Sequence, residues 1–483
     1  MLRISFLKSI KQSINHSIIH LFNDSFYISH YKFYITKAYN KIKTTMPLLI
    51  LIIQTLLFTA GCKQSTEPKL EAELKLELED TSCTEAWIKL SATNLQSPAT
   101  INLLKDGSVA QTISLWRDAD TVLYVDSLLP NQTYKFKTIV QSSNQQINTS
   151  SNEITVTTMD TTSHEFSWQS WEFGTTGSST LYDVAIIDEN DIWAVGEINI
   201  ADTSINGYTT YNAVHWDGTK WELKRIYHYS SCNPVDYPAF RSIYAFSDTN
   251  IVLASRGSIG WFNGKTNKSD CSIRPLLTGA INKLWGSSSG DLYAVGNNGN
   301  IAHWDGRKWT KIESGTTLPI RDIWGDFNDK TNSYEIIAIA AEIDINKGSK
   351  LLSIKGYNVI EESNSGLSWD IGGIWFKSGK KYYIAGAGIH YKHSLSDSVW
   401  QRYARGIVTN YTGDGIKGEN INDVFTAGDH MEIVHFNGFS WHNYIDEISS
   451  DFGVLDGISI KWNIVAMVGF NGTRAVVVVG RRN

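Results

Sequence analysis

Three histidines recur in matched company. His215, His303 and His435 are each followed by an aromatic residue and, six positions after the imidazole, by a tryptophan (Trp221, Trp309 and Trp441). Imidazole is the commonest metal ligand, so such a set invites a metal-site reading. Each histidine, however, falls on the third strand of a different repeat unit, which keeps the three apart. The expectation is therefore a satisfied imidazole or a packing surface, and no metal site. The four cysteines, Cys62, Cys83, Cys232 and Cys271, lack zinc-site spacing. Cys232 and Cys271 lie about one repeat apart, so a disulfide between them is one reading and two reduced, buried thiols the other. Cys83 has no evident partner.

Catalytic patterns are absent. There is no His-Glu-x-x-His and no phosphate-cradling glycine loop. No two carboxylates can be assigned to opposite sides of a scissile bond, as glycoside hydrolysis requires. No catalytic residue and no cofactor is assigned. What remains is an aromatic and polar group suited to stacking on a sugar or gripping a peptide: Tyr208, Tyr227, His228, Tyr229, Asp236 and Tyr237. The competing reading is a self-packed Ω-loop. The recurring Trp193, Trp221, Trp285, Trp309, Trp324 and Trp375 read as core, because a buried indole removes on the order of 200 Å² from water.

The elements that position these residues come from repetition. Residues 181–226 and 281–312 share one pattern: Asp191-Ile192-Trp193-Ala194-Val195-Gly196 answers Asp291-Leu292-Tyr293-Ala294-Val295-Gly296. His215-Trp216-Asp217-Gly218 likewise answers His303-Trp304-Asp305-Gly306. A unit of roughly 40–50 residues that recurs in this way is a module that cannot bury its apolar faces alone. Weaker copies continue to the end of the chain, with starts near Tyr182, Arg241, Ile281, Ile320, Ile371, Ile407 and Leu455. Each unit reads as four short strands, which predicts a seven-bladed β-propeller. The last unit runs out after three strands, at Gly480. Trp168 stands before Gly174-Thr175-Thr176 as Trp309 stands before Gly315-Thr316-Thr317, so residues 166–173 are expected to supply the missing strand. The long connections 197–211 and 227–240 should emerge on one face, with 342–349 added to it, and that face is the expected binding surface.

The strand ending in glycine, the aromatic-Asp strand, the glycine turn and the tryptophan that opens the outer strand resemble kelch-like propellers. The glycine is single where kelch motifs usually carry two. The Gly-His pair of WD40 repeats is absent, and Asp217 and Asp305 directly precede their glycines, unlike the Asp-x-Gly of sialidase Asp-boxes.

Upstream, Lys37, Lys41 and Lys43 precede an apolar run over 47–60 that ends in Thr59-Ala60-Gly61-Cys62. This is the layout of a secretory signal, and the run is short for a bilayer span. The Cys after Ala-Gly resembles a bacterial lipobox, which implies a lipid on Cys62. Residues 1–62 are then an amino-terminal extension and signal peptide, and 63–68 a polar linker. Residues 69–159 alternate as strands with turn signals between them, as in a β-sandwich. Leu128-Leu129-Pro130-Asn131-Gln132-Thr133-Tyr134 resembles the turn into strand F of a fibronectin type III domain, which implies that Tyr134 pins the corner. That resemblance also gives Trp87 the place of a core tryptophan.

The expected fold is thus all-β: a fibronectin type III-like β-sandwich followed by a seven-bladed β-propeller over 166–483. A formal net charge of -6 over 483 residues argues against a nucleic-acid footprint. The function expected is a bacterial cell-envelope lipoprotein, lipid-anchored and monomeric. It would bind or scaffold a glycan or protein partner without catalysis. The alternative is a glycan-active hydrolase or lyase at the channel mouth. Charged groups converging on the channel would favour the enzyme; small and apolar ones would favour binding.

Overall fold

The computed structural model describes residues 72–483 except 96–97, 142–146, 230–231, 233–236 and 343–345. Cys62, the apolar run, the linker 63–68 and Asp236 lie outside the described residues. Among those described, no helix is long and apolar enough to cross a membrane. Ala72–Asn483 form one compact unit.

The chain begins as a two-sheet sandwich. Glu73–Thr81, Ala86–Thr93 and Ala119–Val125 form one sheet; Ser108–Leu115, Ala99–Lys105, Thr133–Gln141 and Ile147–Ser150 form the other, with Ile154–Thr157 also paired to Thr133–Gln141. Ser108–Leu115 and Ile147–Ser150 are strands that the pattern of turns had not separated out. Leu76, Ile88, Leu90, Ile101, Phe136 and Val156 fill the core between the sheets. The Tyr134 hydroxyl accepts from the Leu129 N–H at 2.9 Å and so ties the corner.

From Phe166 onward the described residues form seven four-stranded antiparallel sheets, a β-propeller. The strand next to the channel, the inner strand, is in turn Thr180–Asp188, Ser242–Ser247, Ile281–Ser288, Ile320–Asn328, Ile371–Lys377, Gly413–Asn420 and Gly453–Lys461. Second strands are buried on both faces because alternate side chains serve different neighbours. Ile192 and Ala194 pack with Val468 and Val477 of the seventh sheet, whereas Trp193 and Val195 pack with Ile243 and Leu253 of the second. Inner strands contact their successors in turn, and the seventh contacts the first. The fourth strand of the seventh sheet is Phe166–Phe173, with Gly480 paired to Trp168. The Trp168 ring lies 2.5 Å from where a Cβ on Gly480 would be, so only glycine leaves it room.

Two expectations are corrected. The sixth unit starts at Gly413, not Ile407, which lies in a turn and is 72% exposed. Its inner strand, Gly413-Asp414-Gly415-Ile416-Lys417-Gly418, lacks the apolar run that marks a strand. Trp87 is buried, but not in the sandwich core. Ala86 and Ile88 point inward, so alternation turns Trp87 outward against Trp375 and Ile416 of the propeller.

That outward face docks the sandwich on the propeller. Glu79 pairs with Lys330 and Lys380 at 2.9 Å each, and Glu85 with Lys381 at 2.6 Å. The Lys380 ammonium sits 4.7 Å from the Trp87 ring centre. These lysines lie at the hairpins joining inner and second strands, at the far end of the sheets from the connections 202–207 and 225–241.

Candidate binding site at the channel mouth

A repeated glycine builds the mouth. Gly196, Gly296, Gly386 and Gly428 lie on their second strands, the last three at the end, each paired to the first or second residue of an inner strand. A Cβ on any of them would lie 2.0–2.1 Å from a carbonyl oxygen of the inner strand or the residue before it. Directly after that pair the register slips by one residue, a β-bulge at Tyr182, Asn282, Gly372 and Asp414. The same slip occurs at Arg321 and Asp456. Bulges re-aim side chains. Here they deliver Tyr182, Asn282, Arg321, Gly372, Asp414 and Asp456 to the rim of one cavity of about 150 Å³, which Arg241 joins from just ahead of the second sheet's inner strand.

The rim is electrically divided. Going round the ring, Arg241 and Arg321 come from the second and fourth sheets, while Asp414 and Asp456 come from the sixth and seventh. Gly372 of the fifth leaves a gap between the halves. Beneath the rim, Lys283 pairs with Asp183 and Lys417 with Asp322, both at 2.7 Å. Asp183 also accepts from the Ser242 hydroxyl and the Ile243 N–H, and Asp322 from the Ile374 N–H. These pairs plug the channel. Below them lies a second cavity of about 270 Å³, lined more by apolar groups such as Ile186, Trp285 and Trp324.

Enclosure shifts the rim carboxyls. Burial, then the charges of Asp456 and Asp429, push Asp414 well above the usual carboxylate range against the pull of Arg321. Asp456 is reached by water from the mouth yet surrounded by protein, and burial lifts it to about 6 although Arg321 and Arg241 oppose this. In the plug, burial lowers Lys417, whereas for Lys283 the nearby Asp183 and Asp322 outweigh burial and raise it.

A groove of about 650 Å³ continues from Tyr182 and Arg241 across Tyr208, Arg225 and Tyr237. The Arg225 guanidinium lies 3.8 Å over the Tyr237 ring and that of Arg241 4.0 Å over Tyr182. Tyr227 meets Tyr229 and Tyr237 edge-on, at 5.3 and 6.0 Å between ring centres. His228 does not belong to this surface. It is fully buried and bonds Ser258 at 2.9 Å and Ser269 at 3.0 Å, and burial lowers its pKa to about 4. Its imidazole holds the connection 225–241 down on the second sheet. Cys232 and Cys271 are joined by a disulfide that staples the same connection, with Cα atoms 5.8 Å apart. Cys83 is a buried free thiol that donates to the Asp160 carbonyl at 3.1 Å.

The repeated histidines stay apart, each within its own sheet. His215 pairs with Asp191 at 2.9 Å, His303 with Asp291 at 2.6 Å and His435 with Asp423 at 2.9 Å. Each imidazole also stacks on Trp193, Tyr293 or Phe425, with ring centres 4.1 to 4.4 Å apart. Among the described residues no cluster suits a metal ion. The signal was present in sequence, since each Asp opens the strand before its histidine. The rim residues were missed, because no motif marks them.

Seven four-stranded sheets around a plugged channel define a β-propeller, with a β-sandwich docked on one end. No protein-family model matches the sequence, and no curated protein matches it. Among solved structures, the chain is similar to YCF48 bound to D1 peptide at 13% identity, covering 65% of this chain and 95% of that one, with a TM-score of 0.49. It is similar to the WD40 β-propeller domain of Doa1 at 11% identity, covering 65% and 97%, with a TM-score of 0.45. It is also similar to the GH74 enzyme of Niastella koreensis at 12% identity, covering 84% and 67%, with a TM-score of 0.39.

Proposed function

We propose that this chain is a bacterial envelope lipoprotein, anchored through Cys62. A fibronectin type III-like sandwich would carry a seven-bladed, kelch-like propeller that binds a glycan or protein partner. The observation that carries this reading is the division of the propeller's two ends. One end is covered by the docked sandwich through Glu79, Glu85 and Trp87. The other is open and joins the charged mouth to a groove edged by Tyr208 and Tyr237. A partner is expected to meet that open end. The test is a glycan array and a peptide array probed with the purified protein and with Tyr208→Ala/Tyr237→Ala. Hits in one class that the double variant loses support the reading; hits that it keeps place the partner elsewhere.

A second reading rests on one observation: Arg241, Arg321, Asp414 and Asp456 converge on the channel, as expected of a glycan-active enzyme. A carboxyl lifted to about 6, like that of Asp456, could donate a proton near neutrality. Hydrolysis of the array's glycans, lost in Asp456→Asn, would establish it. Binding without turnover would retire it.

A further inference from the structure

We propose that the channel mouth holds a small zwitterionic group, its ammonium between Asp414 and Asp456 and its carboxylate against Arg241 and Arg321. This deepens the binding reading above and rests on it. The argument begins with what the rim charges lack. Every charge of the plug is satisfied: Lys283 by Asp183, Lys417 by Asp322 and the Ile374 carbonyl. One layer above, the side chains of Arg321, Asp414 and Asp456 make no hydrogen bond or ion pair with any described residue.

Opposite charges this close to one another ordinarily pair. Here they do not: Arg321 stands on the fourth sheet, Asp414 and Asp456 on the sixth and seventh, and Gly372 puts no side chain between the fourth and the sixth. The outcome is a cationic half and an anionic half facing a shared space. Leaving two carboxyls unpaired together has a cost, visible in the upward displacement of both. A single ammonium between them reverses it. An anion alone would leave the aspartates unanswered, and a cation alone would leave the arginines so. A group carrying both charges answers all four.

Size narrows the class. At 10–15 Å³ for each water-sized group, a cavity of about 150 Å³ takes roughly ten non-hydrogen atoms. That is the scale of a free amino acid, a dipeptide, or one charged terminal residue of a partner peptide, such as a carboxy-terminal lysine. The groove leading from Tyr182 and Arg241 past Tyr237 offers a course for the rest of such a peptide.

Isothermal titration of the purified protein with Gly-Lys, its carboxy-amide and its Nα,Nε-diacetyl forms, and a longer peptide ending in lysine tests this. The zwitterion should bind, and removing all its positive charge or its carboxylate should weaken it by ~10-fold or more. Asp414→Asn/Asp456→Asn should reproduce the loss of the ammonium, and Arg321→Gln part of the loss of the carboxylate. Binding of the longer peptide with equal or higher affinity identifies a partner's terminus as the source; binding of Gly-Lys alone identifies a free zwitterion. The blocked ligands act on the unaltered protein, so a variant that fails to fold does not obscure the outcome. Equal binding of blocked and unblocked forms overturns the proposal, as does no binding of any of them by a protein that still captures its array partner. Failure to capture any array partner would instead sink the binding reading itself.

Discussion

Asp414 and Asp456 hold equivalent bulge positions on adjacent inner strands, and Asp414 feels the charge of Asp456 as well as its own desolvation. The consequence for stability has a definite sign. Asp456 titrates at about 6 in the folded chain and near 4 when unfolded. Between those values the native state keeps a proton that the unfolded chain has released, so stability falls as pH rises from about 4 to about 6 and that loss persists above it. Thermal midpoints at pH 4.5 and 7 should show this fall, and Asp456→Asn should flatten it. In the plug below, the charges are paired. Lys417→Met would leave the buried Asp322 carboxylate without its cation, for a loss of about 3–5 kcal/mol in denaturant unfolding. Adding Asp322→Leu to that variant should return part of the loss.

At the scale of the strand, where a second strand sets a glycine against the start of the inner strand, that glycine and the bulge beside it form one device. The Gly196 Cα approaches the Thr180 carbonyl so closely that a methyl group would sit 2.1 Å from its oxygen. Backbone on both sides leaves nothing to swing away. Gly196→Ala should therefore destabilise the protein by ~1–3 kcal/mol and displace Tyr182 from the rim. The fourth sheet provides the control, since Ala340 occupies the matching position against Ile320. Ala340→Gly should leave that bulge and Arg321 in place, costing only the ordinary glycine penalty in a strand. The repeated histidines belong to this scale too, each bracing the third strand of a sheet against the second.

At the largest scale, the docked sandwich makes residues 72–483 one unit. Burial alone would raise the Glu85 pKa, but His393, Lys381 and Tyr124 outweigh it and hold the carboxyl well below the usual range. The stabilisation is then complete above about pH 4 and is lost as acid protonates Glu85. Glu85→Gln should lower stability at pH 7 by about 3–5 kcal/mol, as breaking a buried pair does, and move the acid transition to higher pH. The emission lost in Trp87→Phe reports it, because that ring lies in the contact between the two parts. A Trp87 contribution that changes at the same pH in the variant as in the unaltered protein would place the contact's stability elsewhere.

The repeating units, their glycine ends and the return of the segment around Trp168 to the strand ending near Gly480 were legible in the linear order of residues. These features answer to the backbone, and every sheet makes the same demands of it. The channel mouth was not legible. Tyr182, Arg241, Asn282, Arg321, Gly372, Asp414 and Asp456 share a register position but no chemistry, because a side chain facing an open channel escapes the packing that keeps the other positions alike. The same limit explains His228 and Trp87. Their residue types suited a ligand surface and a sandwich core, but what lies against each of them was decided only when distant strands came together.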